Sequence, residues 1–127
     1  MHTFKKEERL CNKRLIDGLF HNGSSFLCYP FRASWLLADG AQQVPVQVLF
    51  SVAKKRYKRA VDRNVLKRRM REAYRLHKQQ LLYDFLAETD KRILLSIGYI
   101  GKEINDYKLI EKKMQKLFTQ LCESIKA

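Results

Sequence analysis

Residues 54–78, KKRYKRAVDRNVLKRRMREAYRLHK, constrain this chain more than any other stretch. Twelve of the 25 are Lys or Arg, and only Asp62 and Glu72 oppose them, a local charge of +10 within a whole-chain charge of +13. Concentrating like charge costs self-repulsion, so the block either stays solvated or meets a polyanion. It is not patterned like a tail, because apolar residues recur at helical spacing. At 100° per residue, Leu66, Met70, Ala73 and His77 share one face. Arg63, Lys67, Arg71 and Arg75 form a neighbouring stripe at i, i+4, i+8 and i+12, with Asn64 and Arg68 beside it. The spacing predicts a helix over 60–82 with a core side and a basic side. Such a basic row suits phosphate groups; a merely solvated helix is the plainer alternative.

A length of 127 residues fits one domain with a core that needs no metal or disulfide. Cys11, Cys28 and Cys122 are odd in number, far apart and outside any C-x-x-C arrangement, which points to reduced thiols in a cytoplasmic protein. The N-terminus MHTFKKEERL has no apolar h-region, and no run of apolar residues approaches a membrane span. A soluble protein with no membrane partner is expected.

Taken in order, residues 1–9 are polar and expected to be flexible. A short helix starts near Asn12 with Leu15, Ile16, Leu19 and Phe20 on one side, and Asn22-Gly23 offers a left-handed stop. On residue type alone, Phe20 reads as a core residue. Residues 26–37 alternate as one strand, with Leu27, Tyr29, Phe31, Ala33, Trp35 and Leu37 facing one way and Cys28, Arg32 and Ser34 the other. Pro30 suggests an exposed edge or a strand start. After a turn at 38–43, a second strand spans 46–53, with Val46, Val48, Phe50 and Val52 toward the core and Gln47, Leu49, Ser51 and Ala53 opposite. These two strands can pair as a hairpin. A third strand spans 93–100 and ends at Gly101. Asn105 or Asp106 then caps a final helix carrying Tyr107, Ile110, Met114, Leu117, Leu121 and Ile125. The resulting order, α-β-β-α-β-α, is an α+β domain with helices packed on a small sheet.

Catalytic constellations are missing from the sequence. It has no G-x-S-x-G, no phosphate-binding glycine loop, no H-E-x-x-H and no paired-carboxylate arrangement. His2, His21 and His77 are isolated from any nucleophile, and His77 falls where a satisfied structural role is expected. Acidic residues show no metal-ligand spacing. If this polypeptide takes part in catalysis, the reactive groups come from elsewhere.

The stretch FSVAKKRYKRAVDRNVLKRRMREAYR, residues 50–75, resembles the signature region of the bacterial ribonuclease P protein subunit family. Ser51, Val52, Lys54, Lys55, Ala60, Val61, Arg63, Asn64, Lys67, Arg68, Arg71 and Glu72 match its pattern, and a weaker likeness covers nearly the whole chain. Val65 stands where the family has an Arg, away from the main stripe. The resemblance implies the family's fold, with a small mixed sheet and a left-handed β-α-β crossover, as in a domain of a small-subunit ribosomal protein. It implies a ribonucleoprotein endoribonuclease that removes 5′ leaders from precursor tRNA, in which a large catalytic RNA and its bound Mg²⁺ perform the hydrolysis. By this likeness Lys54, Lys55, Arg59, Arg63, Asn64, Lys67, Arg68, Arg71 and Arg75 bind that RNA. Ile16, Phe20, Arg32, Ser34 and Ser51 line a cleft between sheet and first helix for the single-stranded leader, and no protein partner is required. Arg and Lys on a rigid helix fix phosphates without reading sequence, and a variable leader calls for tolerant stacking and hydrogen bonding. The alternative is a ribosomal-type structural RNA-binding protein, which shares charge and fold class but lacks the leader cleft. A DNA-binding dimer would show a helix-turn-helix spacing that is absent here.

Overall fold

The computed structural model describes residues 3–38 and 42–126. Its centre is strand β4, Ile93–Tyr99, whose sequence ILLSIGY is buried at six of seven positions. A strand buried on both faces takes a central place in a sheet. Strand β2, Phe31–Leu37, lies antiparallel on one side of β4, with β1, Ser24–Cys28, beyond it. Strand β3, Val46–Val52, lies parallel on the other side, so the sheet order is β1-β2-β4-β3.

Two expectations about the sheet are corrected by this order. Residues 26–37 form a β1–β2 hairpin rather than one strand, turned at the cis Tyr29–Pro30 bond. The turn sets Cys28 opposite Phe31 and so shifts the alternation. Phe26 and Cys28 join Phe31 and Ala33 on the core side, while Leu27 and Tyr29, expected inside, are exposed. The second strand of that hairpin does not pair with β3, because β4 inserts between them. The α+β class stands, with one strand and one short helix added to the expected order. Of the turn expected at 38–43, residues 39–41 lie outside the described residues.

Helix α1, Lys13–Asn22, begins where Asn12 Oδ1 accepts hydrogen bonds from the backbone N–H groups of Arg14 and Leu15. It ends at Gly23 with φ −76°, not in the left-handed conformation expected. The glycine is needed for closeness instead: a Cβ there would lie 2.4 Å from the Leu19 carbonyl oxygen and 2.9 Å from that of Trp35. Helix α2, Ala60–Lys78, does not stop near 82. It runs through a π-helical turn, Gln79–Tyr83, into α3, Asp84–Thr89, and ends at Asp90 with φ 52°. The i→i+5 step of the π turn brings Tyr83 onto the face of Lys78, and both are buried. Helix α4, Tyr107–Lys126, is capped by Asp106, whose Oδ1 accepts from Leu109 N at 3.0 Å. Asn105 instead donates its side-chain amide to the Tyr99 hydroxyl.

The helices divide between the two faces of the sheet. α2 and α4 cover one face around Val48, Ile97, Tyr74, Met114 and Phe118. α1 covers part of the other through a smaller cluster of Leu10, Leu19 and Leu94, with Ile16, Leu36 and Leu49 packed against it. His77 is satisfied between α2 and α4, its Nε2 2.9 Å from Glu111 Oε2 and 3.3 Å from Gln115 Nε2. Of residues 1–9, expected to be flexible, those from Thr3 onward are described and pack on the domain. Phe4 packs edge-on against Phe50 and Tyr74, Lys6–Glu8 form a 3₁₀ turn, and Leu10 N donates to Val48 O on the outer edge of β3.

Candidate RNA interface

The i, i+4 spacing on α2 places its basic stripe beside the buried Leu66–Met70–Tyr74 side, along a line of about 18 Å from Arg63 to Arg75. Asn64, Lys67 and Arg71 border a groove of about 300 Å³ shared with Phe4, Arg9 and Cys11. Asn64, Arg68, Arg71 and Arg75 border a second, of about 730 Å³, with Arg9, Arg69 and Tyr107. The two grooves share Phe4, Arg9, Asn64 and Arg71, so they adjoin along one side of the helix. Glu72 is the carboxylate among these lining residues, and it pairs with Arg75 at 2.6 Å. That hydrogen bond holds the Glu72 carboxyl below its ordinary range, so it stays ionised and paired.

The remaining cations expected to bind RNA gather at the start of the helix. Lys54, Lys55 and Arg59 are exposed on the loop between β3 and α2 and border neither groove. Arg63 serves that loop: its Nη1 donates to the carbonyl oxygens of Tyr57 and Lys58, each at 2.8 Å. The Arg63 guanidinium therefore fixes the basic loop as well as adding charge. Val65 is half-buried and borders neither groove.

Sequence reasoning missed Arg9 and Arg69. Arg69 lies off the stripe by spacing, yet it lines the larger groove while donating to Asn105 O at 2.5 Å. Arg9 was hidden in a segment expected to be flexible. The one available signal was Phe4, a lone aromatic in a polar stretch and a candidate anchor.

On the opposite face of the sheet, three of the residues expected to line a cleft, Arg32, Ser34 and Ser51, come together. Gly98 of β4 is flanked by Arg32 of β2 and Ser51 of β3. The next row places Ser34 beside Ser96, with Ser25 of β1 hydrogen-bonded to Ser34 at 2.8 Å. Arg32 and Ser51 are exposed, whereas Ser34 is buried. Gly98 keeps the floor low, since a Cβ there would sit 3.2 Å from Ser51 Oγ. Ile16 is half-buried against the small cluster under α1. Phe20 is 58% exposed, which overturns its reading as a core residue. Trp35 faces the other way, its indole N–H donating to Ser124 Oγ of α4. Ser96 and Gly98, which lower the bulk of one face of that strand in the sequence, fall on this floor, whereas Ser25 escaped sequence reasoning because a small residue carries no periodic signal.

The sequence profile of the family described as Ribonuclease P matches residues 4–122. The chain belongs to the ribonuclease P protein family. It is 37% identical over 120 residues to the ribonuclease P protein component of Porphyromonas gingivalis, covering 94% of this chain and 87% of that one. It is 38% identical over 128 residues to the Chlorobium phaeobacteroides component, covering 92% and 86%. The solved structure of the Staphylococcus aureus RNase P protein superposes with a TM-score of 0.70 over 90% of this chain and 94% of that one, at 16% identity. That likeness shows the fold alone. Membership makes this chain a protein component of ribonuclease P, with a role in maturing tRNA 5′ ends and an RNA partner. Among the described residues no helix is long and apolar enough to cross a membrane.

Proposed function

We propose that this chain binds the ribonuclease P RNA through the basic side of α2 and its preceding loop, and guides the 5′ leader of precursor tRNA along the cleft between α1 and the sheet. The observation that carries this reading is the segregation of two unlike surfaces. One side of α2 offers Asn64, Lys67, Arg68 and Arg71 on a rigid helix, suited to a folded RNA's phosphates. The far face of the sheet offers a floor of small polar groups, and α1, which packs on that face, exposes an aromatic, Phe20; both suit single-stranded bases of any sequence. A ribosomal-type protein that only stabilises folded RNA has no use for the second surface.

Hydrolysis in this reading belongs to the RNA and its Mg²⁺. The ion is assigned to the RNA; among the described residues no three His, Cys, Asp or Glu side chains gather into a metal-ligand set. The protein's part is to hold the RNA, orient the leader and neutralise phosphate charge, in the bacterial cytoplasm and without a further protein.

Reconstitution tests the assignment. The purified protein alone is expected to leave precursor tRNA intact, and to restore cleavage at physiological salt with the cognate RNA and Mg²⁺. Metal-dependent cleavage by rigorously purified, RNA-free protein would refute it. A second expectation concerns the stripe: Lys67→Ala or Arg71→Ala weakens binding to the RNA and lowers the log–log salt slope by about one unit or less. Lys108→Ala or Lys112→Ala on α4 has a much smaller effect. Equal losses at the two places, in binding titrations over a salt series, would mean that net charge rather than the α2 face sets affinity.

A further inference from the structure

The N-terminal strap, Thr3 to Cys11, is held at three points that the RNA-binding reading does not use. Phe4 inserts its ring against Phe50 and Tyr74, with centroid separations of 6.1 and 5.8 Å. Glu8 is buried, and its carboxylate accepts hydrogen bonds from Lys78 Nζ, the Tyr83 hydroxyl and the backbone N–H of Lys5. Arg9 bridges to Val48, and Leu10 N donates to Val48 O at 2.9 Å, so the strap adds to the free edge of β3.

The middle anchor is the unusual one. Glu8 and Lys78 are 5% and 6% exposed, and Lys78 Nζ lies between 5.2 and 5.9 Å from the ring centres of Phe4, Tyr74 and Tyr83. Burial alone would push the Glu8 carboxyl up, but the hydrogen bonds from Lys78, Tyr83 and Lys5 hold it below its ordinary value. A buried ion pair is poor value for stability, because well-packed apolar residues often serve as well. What it offers here is a fixed position for the residue that follows.

That residue is Arg9. It is exposed, its guanidinium carbon stands 5.6 Å over the Phe4 ring, and it makes no ion pair among the described residues. It borders both grooves, where Asn64 and Arg71 of α2 also lie. The smaller groove is lined by three cations, Arg9, Lys67 and Arg71, and by no carboxylate. A phosphodiester chain laid in it meets positive charge from the helix and from the strap.

We propose that the strap is the second wall of the RNA groove: Arg9 contacts RNA phosphate, and Glu8, through buried Lys78 and Tyr83, is the positioning residue that holds Arg9 in place. The inference rests on the RNA-binding reading of α2. It also explains why the chain places a buried charge beside a π turn: the turn delivers Tyr83 to the side of Lys78 that Glu8 reaches.

The test titrates the ribonuclease P RNA with the full chain over a salt series, below the melting range of every variant. Arg9→Ala is expected to weaken binding roughly three- to tenfold and to lower the log–log salt slope by about one. Arg9→Lys keeps most of the affinity. Glu8→Gln removes a negative charge, so simple electrostatics predicts tighter binding, whereas loss of positioning predicts weaker binding. Its effect should nearly vanish in the Arg9→Ala background, because the two act on one contact, while general damage to the fold would add. Lys67→Ala and Lys108→Ala complete the set. If Lys67→Ala weakens binding while Arg9→Ala behaves like Lys108→Ala, the strap inference is overturned and the RNA-binding reading stands. If Lys67→Ala is also without effect, the reading of α2 itself fails. Glu8→Gln that tightens binding, or that adds fully to Arg9→Ala, removes Glu8 from the positioning role.

Discussion

Tyr74→Ala is expected to lower folding stability by about 3–5 kcal/mol, the range for truncating a large buried aromatic. At this chain length that corresponds to a fall in Tm of roughly 10–20 °C. Tyr74 is fully buried, and its ring meets Phe50, Phe118 and Phe4 at 5.4, 5.6 and 5.8 Å between centroids. It therefore ties together α2, α4, β3 and the N-terminal strap. RNA binding and leader binding should fall in parallel near the new melting range; below it any loss falls on RNA binding, because the ring backs Phe4 and Phe50 of the RNA groove. Tyr74→Phe separates packing from polarity. The lost hydroxyl has Tyr83 Oη as its partner at 3.5 Å, a long hydrogen bond, so the change costs about 1 kcal/mol or less. Burial pushes the hydroxyl pKa of both tyrosines upward, so neither charge state changes near neutral pH. Thermal melts of the two variants decide the matter. An Ala variant that melts within a few degrees of the parent would show that the aromatic cluster does not organise the core.

What the sequence made legible was what periodicity encodes. The two sides of α2 follow from the 3.6-residue repeat, and Leu66, Met70 and Ala73 are buried as that repeat requires. The apolar row of α4, from Ile110 to Ile125, is buried for the same reason. Strand order was not legible, because local alternation does not say which strand lies in the middle. ILLSIGY read only as a third strand, and adjacency in sequence favoured pairing the two strands before it as a hairpin. The hairpin turn at Tyr29–Pro30 hid inside an alternating run, and its reversal exchanged the two faces of Leu27 and Cys28. The strap was invisible because its anchor is tertiary. Glu8 finds Lys78 and Tyr83 only after a π turn that no spacing rule predicts. The α2 residues of the candidate RNA interface other than Arg69 were thus found by pattern, whereas Arg9, Arg69 and Ser25 needed the fold.

Phe20→Ala is expected to give a selective defect: weaker binding of leader-bearing precursor tRNA by the assembled enzyme, with mature tRNA binding and assembly with the RNA nearly unchanged. Loss of one base stacked on an aromatic side chain is worth roughly 1–3 kcal/mol, or about five- to 150-fold in affinity. The selectivity follows from position. Phe20 lies on α1, an exposed residue beside Leu19, which is the residue of that helix buried completely. Removing a ring so open to solvent forms no cavity, so stability should change by about 0.5 kcal/mol or less. Leu19→Ala is the counterpart, since it empties the small cluster with Leu10 and Leu94 and should cost about 2–5 kcal/mol and every activity together. Melting temperature and the two tRNA affinities, measured on one preparation of each variant, keep these effects apart. Should Phe20→Ala bind precursor and mature tRNA in the parental ratio while melting normally, the exposed ring is not a stacking platform. The leader would then be held by Arg32, Ser51 and the low floor at Gly98 alone.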